Sequence, residues 1–192
     1  MNQKKVAGVG IYEPGRFVSV HGVEITSEYK AWNAMLRRCQ PNGAIQKKQP
    51  AYIGCSVHPD FIKFQDFAEW CQTQIGFGNS GWQLDKDIIK PGNKVYGPDT
   101  CCFVPQEINK LFNLNLGKNS PYPTGVSWCN RTSRFMATIK IDGSKKFLGR
   151  FDTIKEAETA YLAAKRKHVV GVATHWRDQI DPRVYDAMIN WG

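Results

Sequence analysis

The sequence predicts an α+β protein, and three observations carry that prediction. Residues 134–141 alternate apolar and polar, then meet a second extended run, 145–151, across Asp142-Gly143. Directly after it, Thr153 opens a helical pattern with Glu156 three residues on. In the first half, aromatic side chains recur at helical spacing, and a strand–loop–strand–helix order runs from Trp82 to Phe112.

Taken from the N-terminus, residues 4–25 alternate weakly (Val6, Val9, Ile11; Phe17, Val18, Val20, Val23, Ile25) around Glu13-Pro14-Gly15 and His21-Gly22, which suggests hairpin-like strands. Thr26 or Ser27 then caps a helix that runs to about Cys39. Its stripe of Tyr29, Trp32, Met35, Leu36 and Cys39 reads as core. Arg37 and Arg38 suit the negative end of that helix, and could equally touch phosphate. Residues 40–54 read as a polar loop. Pro59 and Asp60 start a second helix whose Phe61, Phe64, Phe67, Ala68, Cys71 and Ile75 form one packing face. After a loop at 76–81 come a strand at 82–88, a Pro-Gly loop, a strand at 100–104 and a short helix from Pro105, a residue allowed at a first helical position.

The second half opens with a strand at 125–129 and a polar turn of Asn130, Arg131, Thr132 and Ser133. In the next strand, Phe135, Ala137, Ile139 and Ile141 share one side, while Met136, Thr138 and Lys140 share the other. Asp142-Gly143 is a hairpin signal because both turn positions need positive φ. Thr153 and Glu156 make a capping box, and Ala157, Ala160, Tyr161, Ala164 and His168 give the helix a small-residue face. A three-stranded sheet with one face bare is not stable alone, so this helix is expected to lie across it. Val169 to Gln179 then read as a connector. Asp181 and Pro182 cap a last helix carrying Val184, Met188 and Trp191 on one face, which packs back on a domain or meets a partner or a second copy.

The uncovered sheet face bears on function. Thr138, Lys140, Lys145 and Phe147 are expected to point outward, with Arg131 and Arg134 bordering the turn. Residues 121–170 hold ten Lys/Arg against four Asp/Glu, so +6 of the chain's net +9 sits there. Such a face matches phosphates electrostatically, and a two- or three-stranded ribbon fits a major groove. The alternative is a solvated face that binds nothing.

At 192 residues the chain supports one or two domains, and its net +9 points to an acidic partner, nucleic acid first. There is no apolar run of about twenty residues, so no membrane span is expected. The basic start MNQKK lacks an apolar signal region, and the six cysteines are too sparse for a disulfide scaffold. Cytoplasmic free thiols are expected, in the host cytoplasm if the chain is phage-encoded.

The series Thr124-Gly125-Val126, Phe135-x-Ala137-x-Ile139, Leu148-Gly149-x-Phe151 and Thr153…Glu156-Ala157…Ala160-Tyr161…Ala164 resembles the APETALA-type, ethylene-response-factor class of DNA-binding domain, also found in phage-borne nucleases. That resemblance implies that the sheet enters the major groove. By position, the readers are Thr124, Ser127, Cys129, Thr138, Lys140, Lys145 and Phe147. Ser127, Cys129 and Phe147 replace arginines and a tryptophan of the plant pattern.

In the first half, Tyr29-x-x-Trp32-x-x-Met35-x-x-Arg38-Cys39, Tyr52, Phe64-x-x-Phe67, Leu84-Asp85, Tyr96-x-Pro98-x-x-Cys101 and Asn109 resemble phage HNH-type endonucleases. The resemblance implies a ββα-metal module with supporting helices over 1–116, an APETALA-type domain over 121–170, and a connector with helix over 171–192. An HNH enzyme uses a histidine base and a metal-holding His or Asn. Here the base position holds Lys86, while Asn109 matches on the helix. A lysine, with an ordinary pKa near about 10.4, is a poor base at neutral pH. Asp85, Asp87 and Asn109 offer oxygens for Mg²⁺ if the chain is active, or the two carboxylates are paired with Lys86 or Lys94.

The reading is therefore a DNA-binding protein with a degenerate HNH motif and impaired catalysis. The alternatives are an Mg²⁺-dependent nicking endonuclease, or a phage protein that binds and inhibits a host protein. Cys55-x-x-His58 has ligand spacing, but no paired C-x-x-C unit accompanies it, so structural zinc is not expected.

Overall fold

A computed structural model describes residues 5–112 and 120–192, and the chain is α+β. Residue 4 of the first expected hairpin and the expected boundary at 116 lie outside the described residues. The chain divides into two compact units: Met1–Asn109 with Asp178–Val184, and Lys110–Arg177 with Tyr185–Gly192.

In the first unit, β1 (Val20–His21) and β2 (Glu24–Ile25) form a minimal antiparallel hairpin around Gly22. The weak alternation before it yields only isolated bridges, Val6 to Gly10 and Ile11 to Lys63. Helix α1 (Ser27–Cys39) starts where expected, with the Thr26 side chain accepting from the Tyr29 N–H. Its Trp32, Met35 and Leu36 are fully buried, and the Trp32 indole donates to the Phe61 carbonyl at 2.8 Å.

The loop expected over 40–54 contains helix α2 (Ala44–Lys48) and a 3₁₀ turn, Pro50–Tyr52. The buried Gln46 amide draws it in, donating to the carbonyls of Arg38 and Tyr52 at 3.1 Å each. A long-range hydrogen-bond partner of this kind leaves no periodic signal.

Strand β3 (Ser56–Val57) pairs in parallel with β5 (Val95–Tyr96), a contact between two-residue runs that no pattern announces. A 3₁₀ turn at Pro59–Phe61 precedes α3 (Phe64–Gln72), which buries Phe64, Phe67, Ala68 and Cys71. The apolar face ends there, because Ile75 lies beyond the helix and is exposed.

Strand β4 (Trp82–Asp85) pairs antiparallel with β6 (Cys102–Pro105), followed by α4 (Gln106–Phe112). The expected strand–loop–strand–helix outline is present, with shorter strands and with Pro105 closing β6, opposite Trp82, rather than opening the helix.

The second unit contains β7 (Val126–Cys129), β8 (Arg134–Ile141) and β9 (Ser144–Phe151) in one antiparallel sheet of that order. Asp142 and Gly143 both have positive φ, at 50° and 78°. Helix α5 (Ile154–Trp176) packs on one face, and both halves of its capping box form: Thr153 N–H to Glu156 Oε2 at 3.0 Å and Glu156 N–H to Thr153 Oγ1 at 3.2 Å. Val126, Ala137 and Ala157 form the centre of this core, ringed by Tyr122, Phe135, Leu148, Phe151 and Ala160.

Gly125 is required at the entrance to β7. Its φ is +80°, and a Cβ there would fall 2.1 Å from the Tyr161 ring. Helix α5 thus sits close because one residue lacks a side chain.

The connector expected at 169–179 is not one. Helix α5 continues to Trp176, with Val169 and Ala173 fully buried, and runs through the boundary expected at 170. Gly171 did not stop the helix, since Val169, Val172 and Ala173 keep an apolar face going past it. The last helix, α6 (Pro182–Ile189), is capped by Asp181, whose Oδ1 accepts the Arg183 N–H at 2.8 Å. Val184 and Met188 are buried, while Trp191 follows the helix rather than extending its face. No described helix is long and apolar enough to cross a membrane.

Candidate nucleic-acid interface and the ββα finger

The strand register defines which side chains share the sheet face opposite α5. Cys129 stands opposite Arg134, Ser127 opposite Met136, and Met136 opposite Arg150. One step on, Thr138 stands opposite Phe147, and Lys140 opposite Lys145. The expected readers Ser127, Cys129, Thr138, Lys140, Lys145 and Phe147 therefore lie on one surface with Arg134. No carboxylate occupies an outward position in these pairs. Phe147 is 55% exposed, unusual for a phenylalanine with no apolar neighbour across the strand.

Arg150 was not expected here. Counting by twos from Lys145 and Phe147 sends 149 and 151 outward and turns Arg150 toward the helix. The register shift between Ala137 and Thr138 reverses this: Ala137 pairs with Gly149, Thr138 with Phe147, and Leu148 is the extra residue. Gly149, with φ +151°, accommodates the bulge, and Leu148 joins the core. Arg150 consequently emerges on the outer face, its guanidinium carbon 5.2 Å from the Phe147 ring centroid. The glycine inside the strand, at Gly149, is the sequence signal of a bulge.

The rim residues differ in freedom. Arg134 is held by Asp152, with Nε to Oδ1 at 2.8 Å and Nη2 to Oδ2 at 3.3 Å. Arg131 lies exposed in the turn before Ser133, whose φ is +47°. Thr124 borders the other end of the sheet, beside Gly125. Hydrogen bonds from Thr132 lower the pKa of the Cys129 thiol.

The finger residues have different surroundings. Lys86 is 5% exposed, and its ammonium donates to Asp87 Oδ2 at 2.8 Å and to the Asn93 carbonyl at 3.0 Å. It also lies 5.8 Å from the Tyr96 ring centroid. Asp85 Oδ1 accepts the N–H groups of Asp87 and Ile88, both at 2.8 Å, closing the turn after β4. Burial, with Asp87 nearby, raises the Asp85 pKa. Asn109 is brought to β4, but its amide donates to Gln83 Oε1 at 2.6 Å.

Mg²⁺ needs several free oxygens in octahedral array. The donor set here has one carboxylate folded into a turn and the other neutralised by an ammonium already in place. The arrangement fits an ion pair between a buried ammonium and a half-exposed carboxylate, with a structural turn, rather than Mg²⁺. Among the described residues, no group of three or more His, Cys, Asp or Glu side chains converges as metal ligands.

Cysteine chemistry has no purchase in this unit. Burial pushes the Cys39 and Cys101 thiols up to about 12 and raises Cys71 and Cys102 as well, whereas the thiolate is the reactive form. His58, three residues after buried Cys55, accepts the Asp60 N–H through Nδ1 at 3.3 Å.

No family model, curated protein or solved structure matches this chain.

Proposed function

We propose that this protein binds double-stranded DNA through the outer face of β7, β8 and β9. The observation that carries the reading is the register-defined surface on which Lys140, Lys145 and Arg150 surround the exposed Phe147 with no carboxylate among them. Cations of this kind meet phosphates, and an arginine or an exposed ring meets base edges or a thymine methyl in a major groove. The sequence resemblance to phage HNH-type homing endonucleases with a C-terminal APETALA-type domain supports the same reading. The engaged state of Lys86, Asp85 and Asp87 supports a finger kept as scaffold, with cleavage impaired.

The test is incubation of supercoiled plasmid with the full chain in Mg²⁺, in Mn²⁺ and in EDTA. The expected result is a retarded, uncut plasmid in every lane, with affinity falling steeply as salt rises because neutralised phosphates release counterions. Metal-dependent nicking that disappears with Asn109→Ala would instead make the chain a nicking endonuclease using a base other than Lys86.

A second reading, a protein partner such as a host factor or a second copy, rests on the β1–β2 hairpin. Val20, Val23 and Ile25 are exposed there, Val23 at 98%. A contact of that type would persist at salt concentrations that release DNA.

A further inference from the structure

Among the described residues of the second unit, Lys165 is the one buried lysine, at 9% exposure. Its ammonium donates to the Leu111 carbonyl at 2.7 Å. It has no carboxylate partner among the described residues, and residues 113–119 contain no Asp or Glu. Buried charges are normally paired. A carbonyl satisfies one donor of an ammonium but does not neutralise its charge, and burial accordingly lowers the Lys165 pKa.

Lys165 also lines a hollow of about 560 Å³ at one end of the sheet. Thr124 and Gly125 line one wall, Thr138, Lys140 and Lys145 another, and Tyr161 with Lys165 the helix side. Its lining residues include three lysines and three hydroxyl-bearing residues, and no Asp or Glu. The hollow exists because β7 begins only at Val126 while β8 runs on to Ile141, so the end of the sheet is two strands wide there. Gly125 lets the chain turn in against Tyr161 without filling the space.

We propose that this hollow is a phosphate-binding site, in which the phosphate's oxygens take the Lys140, Lys145 and Lys165 ammonium groups and the Thr124 and Thr138 hydroxyls, and supply the charge that Lys165 lacks. Its volume admits a phosphorylated group larger than inorganic phosphate, such as a diphosphate or a nucleotide's phosphate end. This site follows from Lys165 and the shape of the hollow, independently of duplex binding by the sheet.

The experiment is calorimetric titration of the full chain with inorganic pyrophosphate at low ionic strength. Saturable one-site binding is expected. Lys165→Met, which keeps the buried stem, should weaken it about tenfold or more, while Lys165→Arg retains most of it, since hydrogen bonds to charged groups are among the stronger ones. Lys140→Gln should weaken binding as well. Lys155→Gln, on the same helix but outside the hollow, should leave it unchanged.

Competition then separates the sources of the phosphate. Displacement of pyrophosphate by duplex DNA assigns the hollow to a backbone phosphate of a bound strand. Simultaneous binding assigns it to a separate phosphorylated small molecule. The proposal is overturned if the wild-type chain shows no saturable binding, or if Lys155→Gln weakens binding as much as Lys165→Met, which would mean diffuse attraction to a basic surface. Loss of duplex binding on replacing Arg150, with pyrophosphate binding intact, would mark the two sites as independent.

Discussion

Arg150 stacks over Phe147 on the outer face of the sheet, 5.2 Å from guanidinium carbon to ring centroid, although the two are three positions apart. Regular strand geometry puts residues three apart on opposite faces. The bulge at Leu148 is what reunites them. This pair occupies the middle of the carboxylate-free surface, so it should carry a large share of any groove contact. Arg150→Ala is expected to lower duplex affinity about tenfold and to reduce the slope of log affinity against log salt by about one. Arg150→Lys should recover the salt slope but not the full affinity, because lysine lacks the planar fork. Competition binding at several salt concentrations checks both.

Lys140 and Lys145 stand directly opposite each other across β8 and β9. Replacing both by glutamate turns a cationic row anionic while keeping two exposed side chains. Duplex binding should fall by more than about a hundredfold with the melting temperature almost unchanged. Unchanged affinity would remove this face from consideration.

The Lys86–Asp87 pair makes a stability prediction with the opposite emphasis. Asp87 is 45% exposed as a side chain whereas Lys86 is 6% exposed, so the two partners are unequal. Asp87→Ala leaves a buried ammonium with only the Asn93 carbonyl, and should cost about 3 kcal/mol in denaturant unfolding. Lys86→Met leaves a half-hydrated carboxylate behind and should cost less. If Lys86 instead served as a catalytic base, Lys86→Met would abolish nicking with little change in stability.

Asp85 gives a pH signature. Burial and the neighbouring Asp87 raise its pKa, so the folded state holds its proton more tightly than the unfolded chain does. Its contribution to stability is therefore most favourable below the unfolded carboxylate pKa and is lost as pH rises through the folded value. Asp85→Asn keeps an oxygen for the Asp87 and Ile88 N–H groups and removes the charge. The variant should melt higher than wild type at neutral pH, with the difference closing as pH falls below the ordinary carboxylate range. A lower melting point at neutral pH would mean that the charge itself is needed.

Gly125→Ala should destabilise the second unit by roughly 3 kcal/mol or more. It sets a β-carbon against Tyr161 at 2.1 Å and places alanine at φ +80°. Tyr161→Ala in the same chain should relieve the clash and leave only the backbone strain, so a double-mutant cycle in thermal unfolding separates the two.

Local chemistry determined much of this protein by itself. The alternation of 134–141, the Asp142-Gly143 turn, the Thr153–Glu156 capping box and the aromatic stripes of α1 and α3 all depend on residues within a few positions of one another, so their outcome was readable along the chain. The basic character of the outer sheet face was readable for the same reason. Tertiary structure decided the rest. The bulge at Leu148 arises from pairing with β8 and moved Arg150 to the outer face. The parallel contact between β3 and β5 joins two-residue segments far apart in sequence. The folding-in of 44–52 depends on Gln46 finding the Arg38 and Tyr52 carbonyls, and α5 outlasts its expected end because Val169 and Ala173 are buried. Nor does sequence spacing tell whether carboxylates at 85 and 87 face a metal or are already satisfied. Here the turn N–H groups took Asp85 and the buried Lys86 ammonium took Asp87, because polar groups enclosed in a fold bind the nearest partners that the surrounding chain brings within reach.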